Sequence, residues 1–143
     1  MNGISLAQAR TIIACALAKG AEEDLKPLGV AVLDAGGHTT AFERQDGASA
    51  MRFKIAHGKA YGAIAMGLGT RALYERVQRQ PYFLDAMNAL AGGALVPVPG
   101  GVLIRDTGGT LLGAVGVTGD SSDGDEMCAI AGIEAAGLVA DTG

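Results

Sequence analysis

The sequence predicts an α/β fold in which a five-stranded antiparallel sheet is flanked by helices. The chain has 143 residues, the size of one domain, so we expect residues 1–143 to form a single domain. Helical periodicity occurs at both ends and in the middle of the chain, with short apolar runs between these segments. Two of the runs are followed by Asp-x-Gly-Gly, which is typical of hairpin turns.

The composition predicts a core of small aliphatic side chains. Hydrophobic residues make up 49% of the chain but aromatic residues only 4%, and there are 23 glycines. Neither a collagen-like period nor a polar low-complexity tract explains so many glycines. We therefore expect them in turns and at close contacts between helices and their neighbours.

The first third of the chain is predicted to form a helix and a hairpin. Ser5 begins a Ser-x-x-Gln capping box, and apolar residues at helical spacing predict a helix over about 6–19. The apolar run 28–33 and the segment 38–44 are predicted to be strands. They are joined by the turn that begins at Asp34.

The middle of the chain is predicted to be helical. Ser49 is expected to cap a long helix that reaches about Met66 and is apolar on two opposite sides, as suits a central helix in an oligomer. Thr70 is expected to cap a charged helix over 71–79. Pro81 is expected at the first turn of a further helix over about 82–91.

The last third is predicted to supply three more strands and a final helix. The strands are expected at 94–96, 102–104 and 110–117, and the helix at about 125–140. Together with the first hairpin they complete an antiparallel sheet of five strands.

Charge and motifs exclude several functions. The net charge is −4 with a pI near 5.0, and no basic stripe is present, so we expect no nucleic-acid partner. We expect no membrane segment and a cytoplasmic location, because the apolar stretch near the start lacks a basic region before it. Cys15 and Cys128 are expected to be reduced. The phosphate-loop, dinucleotide and paired-histidine zinc motifs are absent from the sequence.

Five segments resemble the GlcG/HbpS-like family, to which the C-terminal domain of PduO-type proteins also belongs. The resemblance covers nearly the whole chain in the family's order, although Gln45 and Thr118 stand where the family commonly has Met and Ser. It implies a profilin-like α/β sandwich, self-association into dimers or larger homo-oligomers, and haem binding in some members. The five segments are Val-Leu-Asp-Ala-Gly-Gly-His at 32–38, Phe-Glu-Arg-Gln-Asp-Gly-Ala at 42–48, Lys-Ala at 59–60, Leu-Gly-Ala-Val-Gly-Val-Thr-Gly at 112–119 and Asp-Glu at 125–126.

The two histidines are the candidate haem-iron ligands. His38 follows a Gly-Gly turn, where a neutral imidazole can ligate iron or act as an acid or base. The alternative is a histidine that hydrogen-bonds to the turn. His57 lies on the apolar face of the long helix, where a core or interface histidine is the alternative. Two imidazoles that converge under a cavity would supply both axial positions of a haem.

Five further residues are candidates for a site that binds an anionic ligand. Arg44 and Asp46 match the family's Arg-x-Asp-Gly segment, in which the arginine can hold a carboxylate or haem propionate; an ion pair of Arg44 with Asp46 or Asp34 explains them equally well. Lys59 is either paired with an acid or directed at an anionic ligand, because an unpaired buried charge is costly. Gly116 and Thr118 belong to a Gly-Val-Thr-Gly segment that can bind an anion through its amides.

The acidic segment 120–126 can be explained in two ways. Asp120, Asp123, Asp125 and Glu126 are close enough in sequence to bind a hard cation such as calcium, although their spacing is not that of an EF-hand. They also suit the N-terminus of the last helix, which favours acids.

Three functions are compatible with these residues. The first is a homo-oligomeric module that binds haem or another planar anionic ligand. The second is an enzyme of small carboxylic-acid or aromatic catabolism, in which His38 is the acid or base and Arg44 and Lys59 hold a carboxylate. The third is a structural accessory subunit.

Overall fold

The computed structural model describes residues 3–143, which form five helices and five strands. Met1 and Asn2 lie outside the described residues. The elements in chain order are α1 (Leu6–Glu22), β1 (Gly29–Asp34), β2 (Thr39–Arg44), α2 (Arg52–Met66), α3 (Thr70–Arg79), α4 (Pro81–Leu90), β3 (Gly101–Arg105), β4 (Leu111–Thr118), α5 (Ser122–Ala135) and β5 (Val139–Asp141).

The strands form one antiparallel sheet in the order β2-β1-β4-β3-β5. The predicted α/β class with a five-stranded antiparallel sheet is therefore confirmed. Both Asp-x-Gly-Gly segments form the expected hairpin turns. In each turn the aspartate accepts backbone N–H bonds, from Gly36 and His38 to Asp34, and from Gly108 and Thr110 to Asp106.

One face of the sheet packs against α1 and α5. Because side chains alternate along a strand, every second residue of each strand points to this face. The resulting core consists mainly of branched aliphatic side chains that are almost fully buried. They include Ile12, Ile13, Val30, Val32, Val102, Ile104, Val115, Val117 and Ile133.

The opposite face packs against α2 through small residues. Ala56, Ala60 and Ala63 are completely buried under the sheet. A side chain could not be added at Gly116, since its Cβ would lie 1.9 Å from the carbonyl oxygen of Ala56. The expected close contact between helix and sheet is present here, and the core on this face is a small cluster in which Leu33 and Leu103 pack with Ala60 and Ala63.

The fifth strand is not the one predicted. Residues 94–96 form no strand, and the backbone N–H of Val96 instead donates to the Gly58 carbonyl. β5 takes the outer position beside β3 and overlaps the end of the range 125–140 that was predicted to be helix. Helix α5 ends at Ala135 because Gly137 has a left-handed φ of 76°, which turns the chain back towards the sheet.

Two predicted helix caps are also wrong. Ser49 lies outside α2, whose N-cap is Met51 and has no side-chain hydrogen bond. Thr70 is the first residue of α3, after the N-cap Gly69. Its hydroxyl donates to the Gly101 carbonyl and accepts from the Gly101 N–H, so it joins α3 to the start of β3.

Helices α3 and α4 form a hairpin beside α2. Pro81 occupies the first turn of α4, as predicted, and Leu84 is the one buried residue of this helix. Tyr82 and Leu90 are 69% and 81% exposed. Over residues 3–143, no helix combines the length and the apolar character needed to cross a bilayer.

Candidate functional site

A groove of about 460 Å³ runs between the N-terminal half of α2 and the loop after α4. Its wall is mainly apolar, with one imidazole and one ammonium group. The lining residues are Met51, Phe53, Lys54, Ile55, His57, Gly92, Gly93, Ala94 and Val96.

Glycine allows the loop to approach α2 closely enough to form this groove. A Cβ at Gly58 would lie 2.5 Å from Cγ2 of Val96, so the loop packs directly on the helix backbone. The N–H of Val96 donates to the Gly58 carbonyl at 3.2 Å, and that of Leu95 donates to Oδ1 of Asn88 at 3.0 Å. The loop wall is thus held at two consecutive residues.

A row of rings runs along α2 at the groove. Phe53, His57 and Tyr61 are four residues apart and therefore share one face of the helix. The His57 ring is nearly parallel to that of Tyr61, with centroids 5.8 Å apart, and lies 5.8 Å from the Phe53 ring. Phe42 of β2 extends the row with an edge-to-face contact to Phe53 at 4.8 Å.

His57 is half-buried in the groove wall. None of the hydrogen bonds formed among residues 3–143 involves its ring, which is stacked with Tyr61 and tilted relative to Phe53. A neutral imidazole in such a position keeps a nitrogen lone pair for a metal, since no protein donor competes for it.

His38 lies elsewhere, on the exposed turn between β1 and β2. Its ring is 82% exposed and its Nδ1 lies 3.1 Å from Oδ1 of Asp34. Hydrogen bonds from the His38 and Gly36 backbones hold the pKa of Asp34 below its usual value. His38 is therefore hydrogen-bonded to its own turn, which was the alternative to a ligand role. It does not line the groove around His57.

Lys59 is paired with an acid. Its Nζ donates to Oδ2 of Asp125 at 3.0 Å and to the Val117 carbonyl at 2.9 Å, and the two charged side chains are 3% and 2% exposed. Burial lowers the pKa of Lys59 and raises that of Asp125, while their mutual attraction opposes both shifts. Lys59 was expected either to pair with an acid or to bind an anionic ligand, and this geometry is that of the ion pair.

Arg44 and Asp46 lie on a different surface. Together with Gln45 they line an open cleft of about 530 Å³ beside the C-terminus of α1. The Arg44 guanidinium donates to the Ala48 carbonyl. Within residues 3–143, Arg44 forms no ion pair with Asp46 or Asp34, so the ion pair that was considered as an explanation of these residues is absent.

Gly116 and Thr118 belong to a strand and do not form an anion-binding loop. The N–H of Val117, between them, donates to the Gly100 carbonyl, and Gly116 lies beneath α2. The buried Thr118 hydroxyl accepts a hydrogen bond from Nη1 of Arg52 at 2.8 Å. The groups of the hypothetical carboxylate enzyme are therefore dispersed, since Arg44 is exposed and Lys59 is buried.

Three of the four acidic side chains after β4 are paired with Lys or Arg side chains, and Asp120 accepts the backbone N–H groups of Lys26 and Ser121. Asp125 is paired with Lys59, and Asp123 and Glu126 with Arg71. Ser121 caps α5 by accepting the Gly124 N–H. Among the described residues there is no cluster of three His, Cys, Asp or Glu side chains that could hold a metal ion.

Sequence reasoning missed Lys54, Asp125 as the partner of Lys59, and the groove itself. One signal for the groove was available, because α2 is apolar on two opposite sides although a helix on a sheet needs only one. The contact of Lys59 with Asp125 gave no signal, since the two residues are 66 positions apart.

A family model described as haem degrading protein HbpS-like matches residues 4–134. No curated protein sequence matches the chain. Among solved structures, PduOC in complex with haem is 26% identical with a TM-score of 0.84, over 95% of this chain and 96% of that one.

Two other solved structures show the same fold. The protein ORFY of Klebsiella pneumoniae, from the family DUF336, is 26% identical with a TM-score of 0.84, over 96% of this chain and 92% of that one. A double mutant of HbpS from Streptomyces reticuli is 28% identical with a TM-score of 0.79, over 94% and 87%.

Proposed function

The chain belongs to the HbpS-like family of haem-degrading proteins, and from this premise we propose that it is a haem-binding module whose iron ligand is His57. The site is the groove between α2 and the loop after α4. Haem bound there would supply an iron centre and two propionates.

The position of His57 is the observation that carries this proposal. It is the one histidine in the groove wall, and its ring lies between the rings of Phe53 and Tyr61, tilted towards the first and stacked with the second. Imidazole nitrogen is a common axial ligand of haem iron. A ring oriented by aromatic neighbours keeps that nitrogen for the iron.

The rest of the groove fits a planar, apolar ligand with a charged edge. Its volume lies within the ~300–1,000 Å³ typical of small-molecule sites. Phe53 and Ile55 offer apolar contacts, and the ammonium group of Lys54 can pair with a carboxylate. The similarity to PduOC, which was solved with haem, supports the same ligand class here.

A haemin titration followed at the Soret maximum tests the proposal. The parent protein should bind haemin saturably with about one haem per chain, and His57→Ala should lose that binding. His38→Ala is the matched control, because it removes the other imidazole from an exposed turn. Loss of binding in His38→Ala alone would assign the iron to His38. Equal, non-saturating spectra in all three proteins would overturn the haem function and favour a structural subunit.

We further propose that the module acts as a homo-oligomer. Tyr82 and Leu90 of α4 are large, exposed apolar side chains, and Ala86 and Ala89 are exposed between them. A monomer gains nothing from exposing such a stripe, whereas a second copy can cover it. Light scattering coupled to size exclusion should give more than one chain for the parent and a smaller species for Leu90→Lys. A monomeric parent would contradict this proposal.

The carboxylate enzyme is not proposed. Of its two basic groups, Arg44 lies in an open surface cleft, whereas Lys59 is buried and already paired with Asp125.

A further inference from the structure

We propose that the buried ion pair between Lys59 and Asp125 fixes the rotation of α2 about its axis and so holds His57 in the wall of the groove. This inference rests on the haem-binding function proposed above. Lys59 and Asp125 are positioning residues in this proposal, because neither lines the groove.

The contacts of α2 with the sheet are made on the helix side mainly by methyl groups and backbone. The helix presents Ala56, Ala60 and Ala63 to the strands, Leu33 and Leu103 pack against Ala60 and Ala63, and Gly116 and Gly101 lie opposite the helix backbone. These contacts set the distance between helix and sheet. Methyl groups interlock less than large side chains do, so a directional polar contact adds to the resistance of the helix to rotation.

The ion pair supplies a buried directional contact, in addition to the hydrogen bond from Arg52 to Thr118 at the start of α2 and the bond from the Val96 N–H to the Gly58 carbonyl. Lys59 Nζ is bonded to Asp125 of α5 and to the Val117 carbonyl of β4, and the other oxygen of Asp125 accepts the Asp120 N–H at 3.0 Å. Hydrogen bonds between charged groups require a narrow range of distance and angle. A rotation that separated the pair would leave two charges buried without partners, which is strongly unfavourable.

Helix geometry transmits this constraint to the groove. Residues two apart on an α-helix point about 200° away from each other, so an inward Lys59 requires an outward His57. At the radius of the side chains, a rotation of about 20° moves a ring by about 2 Å. Such a shift would alter the stacking of His57 on Tyr61 and the position of its nitrogen in the groove.

Replacing both charges separates this role from a role in stability. A buried ion pair exchanged for apolar side chains of similar size often leaves stability unchanged or improves it, while conformational uniqueness can be lost. The test variant is therefore K59M/D125L. Its matched control is I12V/I133V, which trims the core on the opposite face and leaves α2 untouched.

The experiment compares urea unfolding, haemin titration and the NMR signals of the His57 ring. We expect K59M/D125L to unfold near the parent midpoint, to bind haemin at least tenfold more weakly, and to show shifted or broadened His57 signals and an altered Soret maximum. I12V/I133V should unfold earlier but keep the parent affinity, Soret maximum and His57 signals.

Parent-like affinity and His57 signals in K59M/D125L would overturn the inference. Should that variant fail to fold, K59M/D125N, which keeps an acceptor for the Asp120 N–H, is judged by the same criteria. Failure of both to fold would also overturn it, because the pair would then be needed for the fold itself. If the parent does not bind haemin, the proposed function fails, while the His57 signals of the unliganded proteins still decide the positioning role.

Discussion

The two faces of the sheet are built differently. On the face covered by α1 and α5, branched side chains such as Ile13, Val115 and Ile133 fill a thick core. On the face covered by α2, alanines and glycines bring backbones together and the buried Leu33 and Leu103 pack against the alanines. The buried pair of Lys59 with Asp125 joins α2 to α5 of the other layer. All the rings of the aromatic row lie on or beside α2.

This difference indicates that one face mainly stabilises the fold and the other mainly forms the ligand site. Burial of large apolar side chains is the main source of stability, so the α1 and α5 face should carry most of it. On the other face, α2 packs on the sheet through small residues, and its outward side carries the row of rings and the groove. We therefore expect substitutions on the first face to change stability alone, and substitutions on the second face to change ligand binding.

The largest effect should come from Ile13→Ala. It removes three carbons from a fully buried site, which should lower the free energy of unfolding by about 2–5 kcal/mol. Haemin affinity should stay at the parent value where the variant is folded. Urea unfolding and haemin titration measure the two quantities, with the exposed Leu6→Ala on the same helix as control. A large loss of affinity in folded Ile13→Ala would contradict the division between the faces.

Gly116→Ala should affect both properties. The new methyl group would meet the Ala56 carbonyl, so α2 must move away from the sheet, at a cost of about 1–3 kcal/mol for overpacking. Haemin binding should weaken as well, because His57 moves with the helix. Gly108→Ala is a suitable control, since a Cβ there meets only the Asp106 side chain at an ordinary 3.4 Å. An unchanged affinity would show that the groove tolerates displacement of α2.

Phe53→Ala should change binding more than stability. The ring is 39% exposed, and its edge-to-face pair with Phe42 is worth about 0.5–1.5 kcal/mol. Haemin affinity should fall about tenfold, because the ring both contacts the ligand site and holds His57. Stability loss without any loss of affinity would place Phe53 with the core of the molecule rather than with the groove.

The smallest effect concerns the sheet edge. A hydrogen bond from Arg105 lowers the pKa of Asp141 in β5, so the ionised carboxylate is favoured in the folded state. Its contribution is present at neutral pH and is lost as the pH falls from about 4 through the lowered folded pKa. Asp141→Asn should cost about 0–1 kcal/mol at pH 7 and progressively less under acid conditions. A constant difference between pH 7 and pH 3 in urea unfolding would exclude this ion pair as the cause.

Local patterns predicted most of the elements. The Ser5 capping box, both Asp-x-Gly-Gly turns and the proline that begins α4 are short-range signals, and each lies where it was expected. The last strand could not be found in this way. Residues 138–140 continue an Ala-rich helical pattern, and only the left-handed conformation of Gly137 separates β5 from α5.

The site was less predictable because its geometry depends on distant contacts. His57, Phe53 and the two-sided character of α2 were visible in the sequence, but the loop that completes the groove was predicted as a strand. Lys59 could be narrowed to an ion pair or an anion ligand, since burial of a lone charge is unfavourable. Identifying Asp125 as its partner required the fold.

The strand order also bears on how fast the chain folds. The hairpins β1–β2 and β3–β4 close over short turns, but the central pair of the sheet joins Asp34 to Gly113, about 80 residues apart. Forming that pair requires a large loss of chain entropy before its contacts are gained. We expect the two hairpins to form early and their docking to limit the refolding rate, on a timescale of about milliseconds to seconds.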